Sequence, residues 1–144
     1  MNTVHQILQA KGYETWTIDP DATVYDALKL LAEKNIGALP ILRGGVLVGI
    51  FSERDYARKV ILKGKHSKDT VIRDVMTEKP ICVAPGDSIG ACMALMTANH
   101  IRHLPVLDGG RLVGVVSIGD VVKGIIVEQQ STISHLENFI TGKR

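Results

Sequence analysis

The sequence predicts an α/β fold built from two similar halves. A stretch of 20 residues, 36–55, recurs at 101–120 without a gap, and eleven of its positions are identical. Each copy joins two short apolar runs through a Gly-Gly pair, which is typical of a β-hairpin. An apolar pattern with helical spacing precedes each hairpin. Because an internal repeat determines the architecture, we expect two copies of one alternating helix and strand unit around a shared core.

Composition and charge exclude several classes of protein. The 144 residues are 45% hydrophobic and 22% charged, which indicates a packed globular protein. A net charge of +2 offers no electrostatic argument for a polyanionic partner. The two cysteines, Cys82 and Cys92, form no C-x-x-C pair, so we expect small buried thiols in a reducing compartment. With no signal-peptide pattern and no apolar run of roughly 18 residues, we expect a cytoplasmic protein without a membrane span.

The first half is predicted to contain five elements. They are a short helix over 3–11, a strand over 13–19, a helix over 24–34 capped by Thr23, a hairpin with strands 39–42 and 46–51, and a helix over 53–62 capped by Ser52.

The second half repeats this plan. We expect a short helix over 70–76, a strand over 80–83, a helix after Ser88, a hairpin with strands 104–107 and 112–116, and a helix after Ser117. The resulting boundaries are a first unit at 1–62 that includes the N-terminal helix, a polar linker at 63–69, a second unit at 70–124 and a C-terminal amphipathic helix at 125–144. This last helix is expected to pack on the body or on a partner chain.

Each hairpin runs into the motif Gly-hydrophobic-hydrophobic-Ser-x-x-Asp, at 49–55 and again at 114–120. Two such copies, each with an upstream Leu-Pro strand, resemble a tandem pair of CBS (cystathionine β-synthase) domains of the stand-alone bacterial type, over about residues 1–124. The resemblance implies two β-α-β-β-α units packed face to face with pseudo-twofold symmetry. It also implies two clefts that bind adenine nucleotides and a homodimer of such pairs.

The Ser-x-x-Asp spacing suits a nucleotide. Ser52 and Ser117 stand at helix starts, where unpaired N–H groups and the positive end of the helix dipole favour an anion. Asp55 and Asp120 follow one turn later on the same face, where a carboxylate can accept both hydroxyls of a ribose. The same spacing is also that of an ordinary capping box, which needs no ligand.

In the family pattern, each cleft takes residues from both units. One cleft is expected to contain Ser117, Ile118 and Asp120 opposite Thr17, Ile18, Gly37 and Ala38. The other is expected to contain Ser52, Arg54 and Asp55 opposite Cys82, Val83, Arg102, His103 and Leu104. Backbone groups near Ala38 and His103 would contact the adenine edge, between apolar neighbours.

The two clefts differ in charge. Gly37-Ala38 in the first half is replaced by Arg102-His103 in the second, so different ligands or affinities are expected. Arg54, Arg102 and His103 are the cations available for phosphate, although Arg102 and His103 also fit a surface ion-pairing role. His100 and His103 lack a third ligand, so no metal site is expected.

Together with the resemblance, these observations predict a regulatory module that senses AMP, NAD(H) or ATP, and that passes the signal to an unknown protein. The alternative is a dimerisation scaffold with vestigial clefts. Nucleic-acid binding is disfavoured, because the basic cluster at 63–68 is short and lacks interleaved aromatic residues. No catalytic constellation is present in the sequence, so neither an enzyme nor a catalytic cofactor is expected.

Overall fold

The structure is a computed structural model that describes residues 2–142. Its elements, in chain order, are α1 (Val4–Lys11), α2 (Val24–Lys34), β1 (Ala38–Arg43), β2 (Val46–Ser52), α3 (Glu53–Asp55) continued by a π-helical segment (Tyr56–Ile61), a 3-10 turn (Ile72–Asp74), β3 (Thr77–Glu78), α4 (Ile89–Asn99), β4 (His103–Asp108), β5 (Arg111–Ser117) and α5 (Ile118–Thr141). The predicted α/β class and the two-unit plan are confirmed, with two small antiparallel sheets flanked by helices.

Both hairpins have the same geometry. Gly44 and Gly45 adopt positive φ angles of 56° and 81°, and Gly109 and Gly110 adopt 58° and 83°. Two consecutive residues in this region form the turn that matches the twist of a two-residue hairpin, and only glycine adopts it without strain. Each hairpin then carries a β-bulge at the corresponding position of its first strand, between Ile41 and Leu42 and between Val106 and Leu107. The repeat is therefore structural as well as sequential.

The predicted strand over 13–19 is wrong, because only Ile18 pairs, in one parallel bridge to β1. The Ile18 N–H donates to the Pro40 carbonyl at 3.2 Å, and the Leu42 N–H donates to the Ile18 carbonyl at 3.1 Å. The next bond in either direction would need an N–H from Pro40 or from Pro20, and proline has none. Two prolines thus limit the strand to one residue.

The predicted strand over 80–83 fails for the same reason. Val83 bridges β4 by donating to the Pro105 carbonyl at 3.0 Å and accepting from the Leu107 N–H at 2.8 Å. Extension would again need an N–H from Pro105 or from Pro85. The bridge and its two blocking prolines recur 65 residues apart in the two halves.

The two hydrophobic cores exchange their first helical turns. α1 contributes Val4, Ile7 and Leu8 to the core of the second half, where they pack with α4, β4 and β5. In return, Ile72 and Val75, beside the 3-10 turn, pack in the core of the first half with α2, β1 and β2. The predicted helix over 70–76 is only this one turn. Each core is therefore completed by a segment that the predicted boundaries, 1–62 and 70–124, assign to the other unit.

Two further contacts place the functional site. β2 and β5 lie against each other, so the two sheets meet at the centre of the molecule. β3 adds to the edge of β2, pairing Thr77 with Ile50 and Glu78 with Gly49. The two strands that end in Ser52 and Ser117 therefore lie at the contact between the halves.

α5 is continuous from Ile118 to Thr141, with no break at the predicted boundary between 124 and 125. The ends of the predicted segments, Met1 and residues 143–144, lie outside the described residues. Among the residues that the structure describes, no helix is both long and apolar enough to cross a membrane.

Candidate functional site

Both Ser-x-x-Asp motifs form reciprocal caps at the starts of α3 and α5. The Asp55 N–H donates to Ser52 Oγ at 3.2 Å, and the Ser52 N–H donates back to Asp55 Oδ2 at 3.0 Å. In the second copy the corresponding distances, between Asp120 and Ser117, are 3.1 and 2.9 Å. The capping box expected as one alternative is therefore present in both copies. The cap occupies one oxygen of each carboxylate, so the two sites differ in the partners of the other oxygen.

Asp55 uses both carboxylate oxygens within the protein. Its Oδ1 accepts from Thr77 Oγ1 at 3.0 Å and lies 3.0 Å from Lys59 Nζ, while Oδ2 receives the bonds from Ser52. Its side chain is only 12% exposed. A ribose could reach this carboxylate only after one of these partners had moved.

Asp120 has a more open arrangement. Lys11 Nζ, at the end of α1, lies 2.7 Å from Asp120 Oδ2 and also donates to the Val115 carbonyl at 2.9 Å. The Asp120 side chain is 21% exposed. Within residues 2–142, every hydrogen bond found for this carboxylate reaches Oδ2, which leaves Oδ1 available to a ligand hydroxyl.

The electrostatics of this second site favour a charged carboxylate beside a neutral imidazole. Burial alone would raise the pKa of Asp120, but the bonds from Lys11 and Ser117 outweigh it and hold that pKa below its ordinary value. Burial lowers the pKa of His103; the charges of Lys11 and Arg102 lower it further, against an opposing effect of Asp120. At neutral pH, His103 is therefore a neutral donor and acceptor rather than a cation.

His103 also joins the two halves. A Cβ placed on Gly37 would lie 3.1 Å from His103 Nε2, so the imidazole packs directly on the backbone of the first half. The family pattern assigned these two residues to opposite clefts, yet the structure brings them together. The same backbone hydrogen bond occurs within each half. The Glu53 N–H donates to the Gly37 carbonyl at 3.1 Å, and the Ile118 N–H donates to the Arg102 carbonyl at 2.8 Å.

The remaining predicted residues contribute in different ways. Arg54 reaches across to the second half, where its guanidinium donates to the His100 carbonyl. Ala38, Val83 and Leu104 are buried in the cores, so only their backbone can contact a ligand. Thr17, Ile18 and Cys82 are half-buried beside the single-residue bridges, and burial raises the pKa of the Cys82 thiol.

Two cavities lie along α5. Ile118 lines one of about 520 Å³ with Val122 and Ile126, while the other, of about 690 Å³, lies between α5 and the start of α4. Within residues 2–142, no three His, Cys, Asp or Glu side chains gather closely enough to hold a metal.

Sequence reasoning missed three partners of the paired aspartates: Lys11, Lys59 and Thr77. Lys59 stands four residues after Asp55 on one helical face, which is the ordinary spacing of a helical ion pair. The other two lie in corresponding segments of the two halves, because adding 65 to Lys11 and Gly12 gives Met76 and Thr77. A side chain from each of these segments contacts the aspartate of one motif: Lys11 contacts Asp120, and Thr77 contacts Asp55.

The Lys11–Asp120 pair carries a pH dependence. Because the pKa of Asp120 is lowered in the folded protein, the pair stabilises the fold at neutral pH, and this contribution is lost as pH falls through that lowered pKa. We expect urea unfolding to show a larger drop in stability between about pH 6 and about pH 3 for the wild type than for Lys11→Met. Equal drops would show that the pair contributes nothing.

The CBS domain family model matches the chain twice, over residues 13–62 and 72–127. This chain belongs to the CBS domain family. The CBS pair is 40% identical over 149 residues to the mitochondrial CBS domain-containing protein CBSX3 of Arabidopsis thaliana, covering 97% of this chain and 72% of the relative.

Solved structures agree with this assignment. The CBS pair superposes with a TM-score of 0.85 on a protein with CBS domains from Burkholderia ambifaria, at 52% identity, covering 88% of this chain and 96% of that one. It also superposes, with a TM-score of 0.78 at 27% identity, on a CBS domain pair in complex with 5′-methylthioadenosine and S-adenosyl-L-methionine, covering 88% and 97% of the two chains. CBS pairs are regulatory modules that often bind adenosine-containing ligands, and the resemblance stated from the motifs is confirmed.

Proposed function

We propose that this CBS pair is a regulatory module whose ligand is an adenine nucleotide, AMP, NAD(H) or ATP, bound first at Asp120. The observation that carries the proposal is the carboxylate at the start of α5. One oxygen is held by the Ser117 cap and Lys11, and no hydrogen bond found within residues 2–142 occupies the other. The similarity to a CBS pair in complex with two adenosine-containing molecules supports the ligand class.

The surroundings of Asp120 fit the parts of a nucleotide. A ribose hydroxyl can donate to Asp120 Oδ1, and the cations Lys11 and Arg102 offer charge-assisted bonds to phosphate. His103 lies against Gly37, so a neutral ring is available where the adenine edge would meet both halves. A ligand that contacts both halves binds one relative arrangement of the halves more tightly than the others. This difference in affinity shifts the equilibrium between the arrangements.

The Asp55 site is proposed to bind more weakly. Its carboxylate is already bonded by Ser52, Thr77 and Lys59, so binding costs at least one of those interactions. Calorimetry with AMP, ATP, NAD(H) and S-adenosylmethionine tests the proposal. We expect one site per chain at low ligand concentration, and absence of heat with every ligand at millimolar concentration would refute it.

Lys11 should distinguish a nucleotide from a nucleoside. We expect Lys11→Met to weaken AMP binding about tenfold, the effect of losing roughly one charge-assisted hydrogen bond. The affinity for adenosine, which has no phosphate, should change less than about threefold. Lys59→Met is the matched control, since it removes the cation of the other site. An equal loss for AMP and adenosine would show that Lys11 does not contact phosphate.

The alternative, a dimerisation scaffold with vestigial clefts, rests on one specific observation. Ile61 and Leu62 are exposed in the first half, and Ile126 and Val127 are exposed at the positions 65 residues later. Exposed apolar patches of this kind mark interaction surfaces, so we propose that the protein forms a homodimer. Purification from cells followed by mass spectrometry of released small molecules separates the two functions, because a scaffold would carry no adenine nucleotide.

We also propose that the module acts in the cytoplasm, without catalysing a reaction, through a downstream protein that responds to the ligand. Cys82 and Cys92 are both free thiols, which suits a reducing compartment.

A further inference from the structure

The distal half of α5, as far as Gly142, lies largely in solvent. Every residue from 126 to 142 is exposed, and this segment has no counterpart in the first half, whose helix ends before the linker. Phe139 and Ile140 are 84% and 81% exposed. An isolated helix of this length is marginally stable in water, and most helices in proteins depend on packing of an apolar face. The exposed segment therefore requires a partner.

The apolar residues of this segment follow a coiled-coil repeat. Alternating steps of four and three residues connect six positions along one face, of which only Gln129 is polar: Val122, Ile126, Gln129, Ile133, Leu136 and Ile140. Together with Phe139, they form an exposed apolar strip, in which Ile133 and Leu136 are each 55% exposed. The partner that this repeat fits best is another helix with the same repeat.

We infer that the distal half of α5 pairs antiparallel with α5 of a second copy of this chain. In that register Val122 lies against the partner's Ile140, and Ile126 lies against the partner's Leu136. Gln129 then lies against the partner's Ile133, and the twofold axis repeats each contact. All six positions are filled by one isologous interface.

The residues that flank this face select the antiparallel orientation. Lys123 would lie opposite the partner's Glu137, which is an opposite-charge pair. Ile125 would lie opposite the partner's Phe139, so the two flanking apolar residues cover each other. A parallel pair would instead place Ile125 beside Gln130 and leave Lys123 without a carboxylate.

The two cavities along α5 fit the same arrangement. The cavity of about 690 Å³ is lined by Ile125, Gln129 and Ile133 and lies on the side that would receive the partner's Phe139. The cavity of about 520 Å³ is lined by Val122, Lys123 and Ile126 and lies on the side that would receive the partner's Glu137. The partner's Phe139 would fit the apolar residues of the first cavity, and the partner's Glu137 would pair with Lys123 at the second.

Analytical ultracentrifugation of the full chain, whose monomer mass is 15.6 kDa, tests the pairing. We expect Ile133→Asp with Leu136→Asp to raise the self-association dissociation constant by about 100-fold. Ser131→Asp with Ser134→Asp, on the opposite face, should change it less than about threefold. Unchanged association in the first variant, with its circular dichroism showing folded units, would overturn the proposal. A monomeric wild type at millimolar concentration would do the same.

Disulfide formation tests the orientation. Antiparallel pairing places residue 132 beside the same residue of the partner, so Thr132→Cys should link two chains on mild oxidation, whereas Ser134→Cys should not. Linkage through Ile133→Cys without linkage through Thr132→Cys would show parallel helices and overturn the arrangement. The wild type, which carries only Cys82 and Cys92, is the background control.

Discussion

Replacing Asp120 with alanine should weaken adenine-nucleotide binding about 100-fold. The substitution removes the acceptor of the proposed ribose hydroxyls, and hydrogen bonds to a charged group contribute about 1.5–3 kcal/mol each. It also leaves Lys11 without its partner and removes one half of the Ser117 cap. Calorimetry with AMP measures the change in affinity, and thermal unfolding monitored by circular dichroism checks that the variant stays folded.

Asp55→Ala is the matched control for this prediction, because it alters the corresponding position of the other half. Since that carboxylate already bonds Ser52, Thr77 and Lys59, its loss should lower stability more than it lowers nucleotide affinity. If Asp55→Ala abolished binding while Asp120→Ala bound normally, the assignment of the first-filled site would be reversed. Full binding by both variants would exclude a ribose role for either aspartate.

Phe51→Ala should destabilise the protein by about 3–5 kcal/mol, the usual cost of truncating a fully buried phenylalanine. Phe51 lies on β2, is 0% exposed and belongs to the core that α2, β1 and β2 share with Ile72 and Val75. Such a loss is a large part of the total stability of a domain of this size. Urea unfolding followed by circular dichroism gives the difference directly.

Two comparisons make this stability prediction specific. Phe51→Leu keeps most of the buried volume and should cost about 1–1.5 kcal/mol. Val116, at the corresponding position of β5, is equally buried but smaller, so Val116→Ala should cost less than Phe51→Ala. A loss below about 1 kcal/mol for Phe51→Ala would mean that the first core is loosely packed.

The parts of the fold that depend on local signals were predictable. The Gly-Gly turns determine both hairpins, and Thr23, Ser52, Ser88 and Ser117 cap the helices that their positions predict. The strand over 13–19 was not predictable from its own residues. Its length depends on the partner strand, where Pro40 lacks the N–H that a longer bridge requires. A local pattern carries no information about that partner.

The residues of the candidate site also fall into those that the sequence could predict and those that it could not. The motif residues Asp55 and Asp120 were found because they repeat, and Lys59 was within reach of the helical spacing rule. The pairing of Lys11 with Asp120 joins residues 109 positions apart, and it follows from the exchange of α1 into the second core. The spacing of apolar residues along the chain does not show which core a helix joins. The contact between Gly37 and His103 was not predictable for a related reason, since it forms where the two halves meet.

The placement of α1 has a consequence for synthesis on the ribosome. α1 is translated before β5, and Leu8 can be sheltered from water only when β5 has emerged, about a hundred residues later. Until then the nascent chain carries an uncovered apolar turn. The docking of Lys11 beside Asp120 is therefore a late event in maturation, because it must wait for β5 and the start of α5 to be synthesised.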